Sequence, residues 1–109
     1  MKKVILIYLI MMTTVVAVGS NPFFKPFNGP HETALFDEIK IEHFEPAFEK
    51  AIAEHKSEVD DIAANTERPT FVNTIEALEY AGEMLNRVSG VFYNLLSSES
   101  NDEMMEISQ

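Results

Sequence analysis

The sequence predicts an all-α protein. Three observations carry that expectation. From Glu42 onward apolar residues recur at every third or fourth position, which builds stripes on helices rather than on strands. Cap residues and prolines punctuate these runs where helices should start and stop. Two of the runs are long, and a third begins before Gln109. The expected order is a signal peptide at 1–19, an extended arm at 20–41, and a helical region at 42–109. That region holds two long antiparallel amphipathic helices and the start of another.

The first segment is MKKVILIYLIMMTTVVAVGS. Lys2 and Lys3 precede an apolar run from Val4 to Val18, and Ala17, Val18 and Gly19 supply small residues ahead of Ser20. Charge, apolar stretch and small-residue site in that order define a secretory signal, with cleavage expected before Ser20. The run is short for a membrane span, and Thr13 and Thr14 weaken it, so no stable span is expected after cleavage. Retention as an anchor is the alternative. The absence of cysteine excludes a lipoprotein anchor, a disulfide framework and thiolate metal ligation. A short apolar run behind two lysines suits bacterial export, to the periplasm or the medium.

Charge narrows the function classes. The whole chain carries a formal charge of −10, and residues 20–109 hold 6 basic against 18 acidic side chains, a net of −12. A nucleic-acid backbone would be repelled, so nucleic-acid binding is not expected.

The arm NPFFKPFNGPHETALFDEIK is broken by Pro22, Pro26 and Pro30, which lack amide donors and restrict their predecessors. Phe23, Phe24, Phe27 and Phe36 lie among or just after these breakers. Each phenylalanine gains roughly 1.5–3 kcal/mol on burial, so the arm is expected to strap down on its own protein rather than stay solvated.

In the first long helix Phe44, Ala47, Phe48, Ala51, Ile52, His55, Val59 and Ile62 form one stripe, with Glu45, Glu49, Glu54 and Glu58 facing away. Pro46 suits the first turn, Asn65 can cap the end, and Pro69 blocks continuation. Thr70 is expected to cap the second, the alternative being a capping box of Asn73 with Glu76 one turn on. There Phe71, Ile75, Leu78, Leu85, Val88, Phe92 and Leu95 share a phase as far as Leu96. Gly82 and Gly90 lie inside that run and are expected to mark close helix–helix approach. Ser100 or Asn101 caps the last helix, where Asp102 and Glu103 suit the positive end and Met104, Met105 and Ile107 begin an apolar face. Leu78, Leu85 and Leu96 on one side, and Val91, Phe92 and Tyr93 on another, exceed what one partner helix can cover. The helices are expected to need more protein.

No catalytic, cofactor-binding or metal-ligating residue is assigned. HETAL, His31–Leu35, has the histidine and glutamate of a zinc helix but leucine where the second imidazole belongs, and it follows Pro30 in a loop. His43 and His55 are too far apart to chelate from one helical turn. His55 lies on the apolar stripe and reads as a packed residue.

Several segments taken together resemble a known family. NPFF…PF, FDEIKIEHFEPAFEKAIAEH and IAANTERPTFVNTIEALEYAGEMLNRVSGVFYNLLSSESNDEM are similar, in order and spacing, to the N-terminal region of bacterial peptidyl-dipeptidases. These belong to the thimet-oligopeptidase and neurolysin family of zinc metallopeptidases. Pro69-Thr70-Phe71, Asn73-Thr74-Ile75, Ala77-Leu78-Glu79, Arg87-Val88-Ser89 and Asn101-Asp102-Glu103 are the most specific parts, whereas Tyr93 and LLSSES depart from the pattern. The resemblance implies a mostly helical fold of two halves around a channel that admits short peptides, with zinc on an HExxH helix in the C-terminal half. It places none of the catalytic or zinc residues on this chain. It implies the opening part of an exported peptidase that releases dipeptides from peptide C-termini, inactive without its catalytic half. A stand-alone secreted helical adaptor is the alternative.

Overall fold

The computed structural model describes residues 21–109. The expected signal segment, 1–19, lies outside the described residues. The described residues contain helices and turns and no strand. The long helix α1 runs Phe44–Ala64 and the second, α3, runs Glu83–Ser98. Between them a π-helical segment, Phe71–Glu76, leads into the short α2, Ala77–Tyr80, and α4 follows at Asp102–Ile107. The two long helices pack antiparallel: Phe44 near the start of α1 meets Phe92 late in α3, while Glu58 late in α1 meets Gly82 just before α3.

The caps form where local chemistry puts them. The Thr70 hydroxyl accepts from the Asn73 amide at 3.1 Å, and the Asn73 side chain accepts from the Thr70 amide at 2.7 Å. One box thus satisfies donors that a helix start leaves free. Asn101 caps α4 by accepting from Met104 at 2.9 Å. At the end of α1, Asn65 is the cap residue in an extended conformation, and its side chain accepts from the Glu67 amide.

The arm is a chain of short 3-10 turns, at Pro22–Phe24, Pro30–Glu32, Phe36–Glu38 and Ile41–His43. Extended residues join them, so the arm is more turned than the prolines alone predict. It is strapped down most fully at its first turn, while Phe27, Ala34, Ile39 and Ile41 also pack on the core. Phe23 is completely buried, its ring 5.3 Å from that of Phe44, and its carbonyl accepts from Arg87 of α3 at 3.1 Å. Asn21 ties the same turn to the entrance of α1 by donating to the His43 carbonyl at 2.8 Å. Lys50 sits 4.6 Å from the Phe24 ring centroid, and Arg87 sits 5.6 Å from that of Phe27. These cation–π contacts reinforce the strap.

The core is thin. Its buried members among the described residues are Phe23 from the arm, Phe44, Ala47 and Ala51 from α1, Met84, Val88, Val91 and Phe92 from α3, and Met104 from α4. The alanines let α1 approach α3 closely enough for the Phe44, Phe48 and Phe92 rings to meet edge to face, at centroid separations of 5.0 and 5.3 Å.

Four sequence-based expectations need correction. The helical run from Phe71 to Leu96 is not continuous: it breaks at Ala81 and Gly82, where Gly82 takes φ 80°, a left-handed conformation that glycine adopts without penalty. Gly82 does approach α1 closely, but Gly90 does not. A Cβ built on Gly90 meets nothing within 4 Å. Replacing Gly90 by alanine is therefore expected to raise stability by about 0.5–1 kcal/mol, read as a higher urea midpoint with an unchanged slope. Glu58, expected to face away, instead reaches across to accept from the Gly82 amide. Ile52, placed on the buried stripe by phase, is 55% exposed.

Candidate interaction surface

The histidines come first, because they are the residue type most able to carry chemistry here. His31 lies in an exposed turn with φ 59°. The His43 ring accepts from the Lys40 amide at 3.0 Å, closing the turn before α1. His55 packs against Gly82, with Nδ1 buried, unpartnered and 4.0 Å from the Glu58 carboxylate. The structure does not bring the three together. Among the described residues no group of three or more His, Cys, Asp or Glu side chains is placed to hold a metal ion. The zinc that the resemblance implies for a parent enzyme finds no ligand set among these described residues.

What the helices do present is uncovered apolar surface, in two places. The first is the segment before the break. Phe71 is 70% exposed and Ile75 55%, and Val72, Leu78 and Tyr80 are also open. This is the front half of the predicted second stripe. It begins as a π-helix and is cut off from the back half at Ala81 and Gly82, and α1 covers only the back half, Val88 and Phe92 fully and Leu85 and Leu95 in part.

The second is a groove of about 790 Å³ between α1, α3 and α4. Its floor is apolar: Phe48 and Ile52 from α1, Leu85, Phe92 and Tyr93 from α3, and Ile107 from α4. Carboxylates edge it from two sides, Glu45 and Glu49 on α1 and Glu103 and Glu106 on α4. All four are exposed, and none forms an ion pair among the described residues. The cations nearest the core are engaged elsewhere: Lys50 lies on Phe24, and Arg87 lies between Phe27, the Phe23 carbonyl and Glu83.

The ties that set this geometry join residues far apart in sequence. Glu58 to Gly82 and Arg87 to Phe23 have no local pattern that could announce them. Only the third- and fourth-position spacing of Phe48 and Ile52, and of Leu85, Val88 and Phe92, hinted that the two helices share a face.

No family model matches the chain. Curated relatives do. The chain is 37% identical over 89 residues to the dipeptidyl carboxypeptidase of Escherichia coli strain K12, an alignment that takes in 82% of this chain and 13% of that protein. It is 32% identical over 92 residues to the dipeptidyl carboxypeptidase of Salmonella typhimurium strain LT2, covering 84% of this chain and 14% of the relative. No helix among the described residues is long and apolar enough to cross a membrane. The chain is thus a sequence relative of the dipeptidyl carboxypeptidases over most of its own length, and it spans about an eighth of theirs.

Proposed function

We propose that residues 21–109 are part of the N-terminal helical region of an exported peptidyl-dipeptidase, where they help wall the channel that receives short peptides. The observation that carries the reading is the agreement with two dipeptidyl carboxypeptidases across more than four fifths of the chain. The uncovered apolar face at Phe71, Val72, Ile75 and Leu78 supports it, because such a face is costly in water and suits a neighbouring element of a larger fold. In this reading the zinc, its HExxH helix and the general base belong to a catalytic half supplied beyond these residues, and the 109-residue chain by itself hydrolyses nothing.

Sequencing the coding DNA past the Gln109 codon tests the assignment. An open frame that continues into an HExxH-encoding stretch is expected. A stop codon with no such frame downstream overturns it. Export is tested separately by the mass of the mature N-terminus: a chain beginning at Ser20 in the periplasm or medium is expected, and an intact Met1 retained in the membrane fraction refutes cleavage.

A further inference from the structure

We infer that Asn28 is a site of spontaneous covalent modification, at which the main chain cyclises and the side-chain amide is lost as ammonia. Asparagine is among the thermolabile residue types. The nucleophile here is the backbone nitrogen of Gly29. It attacks Asn28 Cγ, the Cγ–Nδ2 bond breaks, and the proton of the attacking nitrogen leaves with the amide as ammonia. Water then opens the five-membered succinimide at one carbonyl or the other, which gives aspartate or isoaspartate and one more negative charge. No oxidant, metal or enzyme is needed.

The sequence holds seven asparagines, and the structure separates this one from the rest. Asn28 is the one followed by glycine, so no Cβ obstructs the approach of the attacking nitrogen. Asn21 is followed by Pro22, which has no N–H to give up. Asn65, Asn73 and Asn101 hold their side-chain oxygens on the amides of Glu67, Thr70 and Met104. Asn86 and Asn94 lie inside α3, where the following amide belongs to the helical ladder. Neither the Asn28 side chain nor the Gly29 amide makes a hydrogen bond among the described residues. The turn beyond them is held through other atoms. The Gly29 carbonyl accepts from the Glu32 amide at 3.0 Å, and the Thr33 hydroxyl donates to the Pro30 carbonyl at 2.7 Å. That turn also demands glycine, because a Cβ on residue 29 would run into the Thr33 carbonyl oxygen and lie 2.9 Å from its hydroxyl. The packing thereby builds in the labile pair. These are properties of residues 28–33 and do not depend on the peptidase reading. An isoaspartate carries the main chain through its side-chain methylene, next to Phe27, whose ring lies 5.9 Å from that of Phe23 and 5.6 Å from Arg87. Modification therefore loosens the arm beside its anchor.

The test is peptide mapping by mass spectrometry of the full chain aged in mildly alkaline buffer, both native and in urea. The mass gain from amide to acid is expected at Asn28 at least roughly tenfold faster than at any other asparagine, with isoaspartate as well as aspartate among the products. The native rate at Asn28 should lie within about tenfold of the rate in urea, whereas the native helix should protect Asn86 and Asn94 by more than that. In urea, Gly29→Ala should slow the reaction at least about tenfold, and a disturbed turn is no explanation there because the chain is unfolded. A protease should cut the aged native chain within the arm at least about twofold sooner than the fresh chain. A faster asparagine elsewhere, or native protection of Asn28 as strong as that of Asn86 and Asn94, would overturn the site. Equal cutting of aged and fresh chains would overturn the loosening.

Discussion

Replacing Phe92 by alanine is expected to cost about 3–5 kcal/mol, the range for removing a large buried aromatic side chain. Phe92 is completely buried, and its ring lies 5.0 Å from Phe44, 5.3 Å from Phe48 and 5.2 Å from Tyr93. The change therefore removes apolar burial and three edge-on ring contacts at once. Small domains are held by about 5–15 kcal/mol in all, so the loss is a large share of what holds α1 to α3. Urea denaturation followed by circular dichroism should show the midpoint fall sharply. Phe92→Leu should fall less, because leucine refills part of the space. Phe71→Ala is the contrast. Phe71 occupies the same predicted stripe but is 70% exposed, so its loss should stay within about 0.5 kcal/mol. Equal costs at the two positions would mean that the core is not where the structure places it.

The second large effect is at Gly82, and its sign is informative. In an uninterrupted helix from Phe71 to Ser98, Gly82→Ala would stabilise by about 1 kcal/mol. In the structure it must destabilise, by about 2–4 kcal/mol, for two reasons. A φ of 80° is strained for any residue with a Cβ, and that Cβ would lie 2.6 Å from His55 Nδ1 and 3.0 Å from its Cε1. The two contributions separate in a double-mutant cycle with His55→Ala. In that background the ring is gone, and only the backbone strain of about 1–2 kcal/mol should remain. A stabilising Gly82→Ala would show that the helix runs straight through. Gly90→Ala, in the same helical run but with open space around it, should move stability the other way.

These two glycines show what a sequence makes legible and what it does not. Caps depend on neighbours three residues apart, so Thr70 as a cap was readable from the residues alone and the choice at α4 narrowed to Ser100 or Asn101, whereas Asn73, expected to pair with Glu76, instead closes a box with Thr70. Helical phase is equally local, and the α1 stripe holds apart from Ile52, while the second stripe is interrupted at Ala81 and Gly82. Coverage is not local. Whether Phe71 or Phe92 is buried depends on how far α1 extends alongside, and whether Gly82 bends depends on a carboxylate 24 residues earlier that takes its amide. The arm repeats the lesson. Three prolines announced that it could not be a helix, but nothing in the spacing of four phenylalanines singled out Phe23 as the one that becomes fully buried. The groove was partly legible: its floor follows the phase of α1 and α3, while its glutamate edges needed α4 to fold back opposite α1.

The seat of Phe23 has one further consequence. That seat is built jointly, by the Phe44 ring of α1 and the Arg87 guanidinium of α3. Neither helix offers the whole of it alone, and the residues it brings together are 21 and 64 positions apart along the chain. Closing the longer of those loops yields nothing until both helices are paired. The full hold on this early-synthesised segment therefore exists only once both helices are in place.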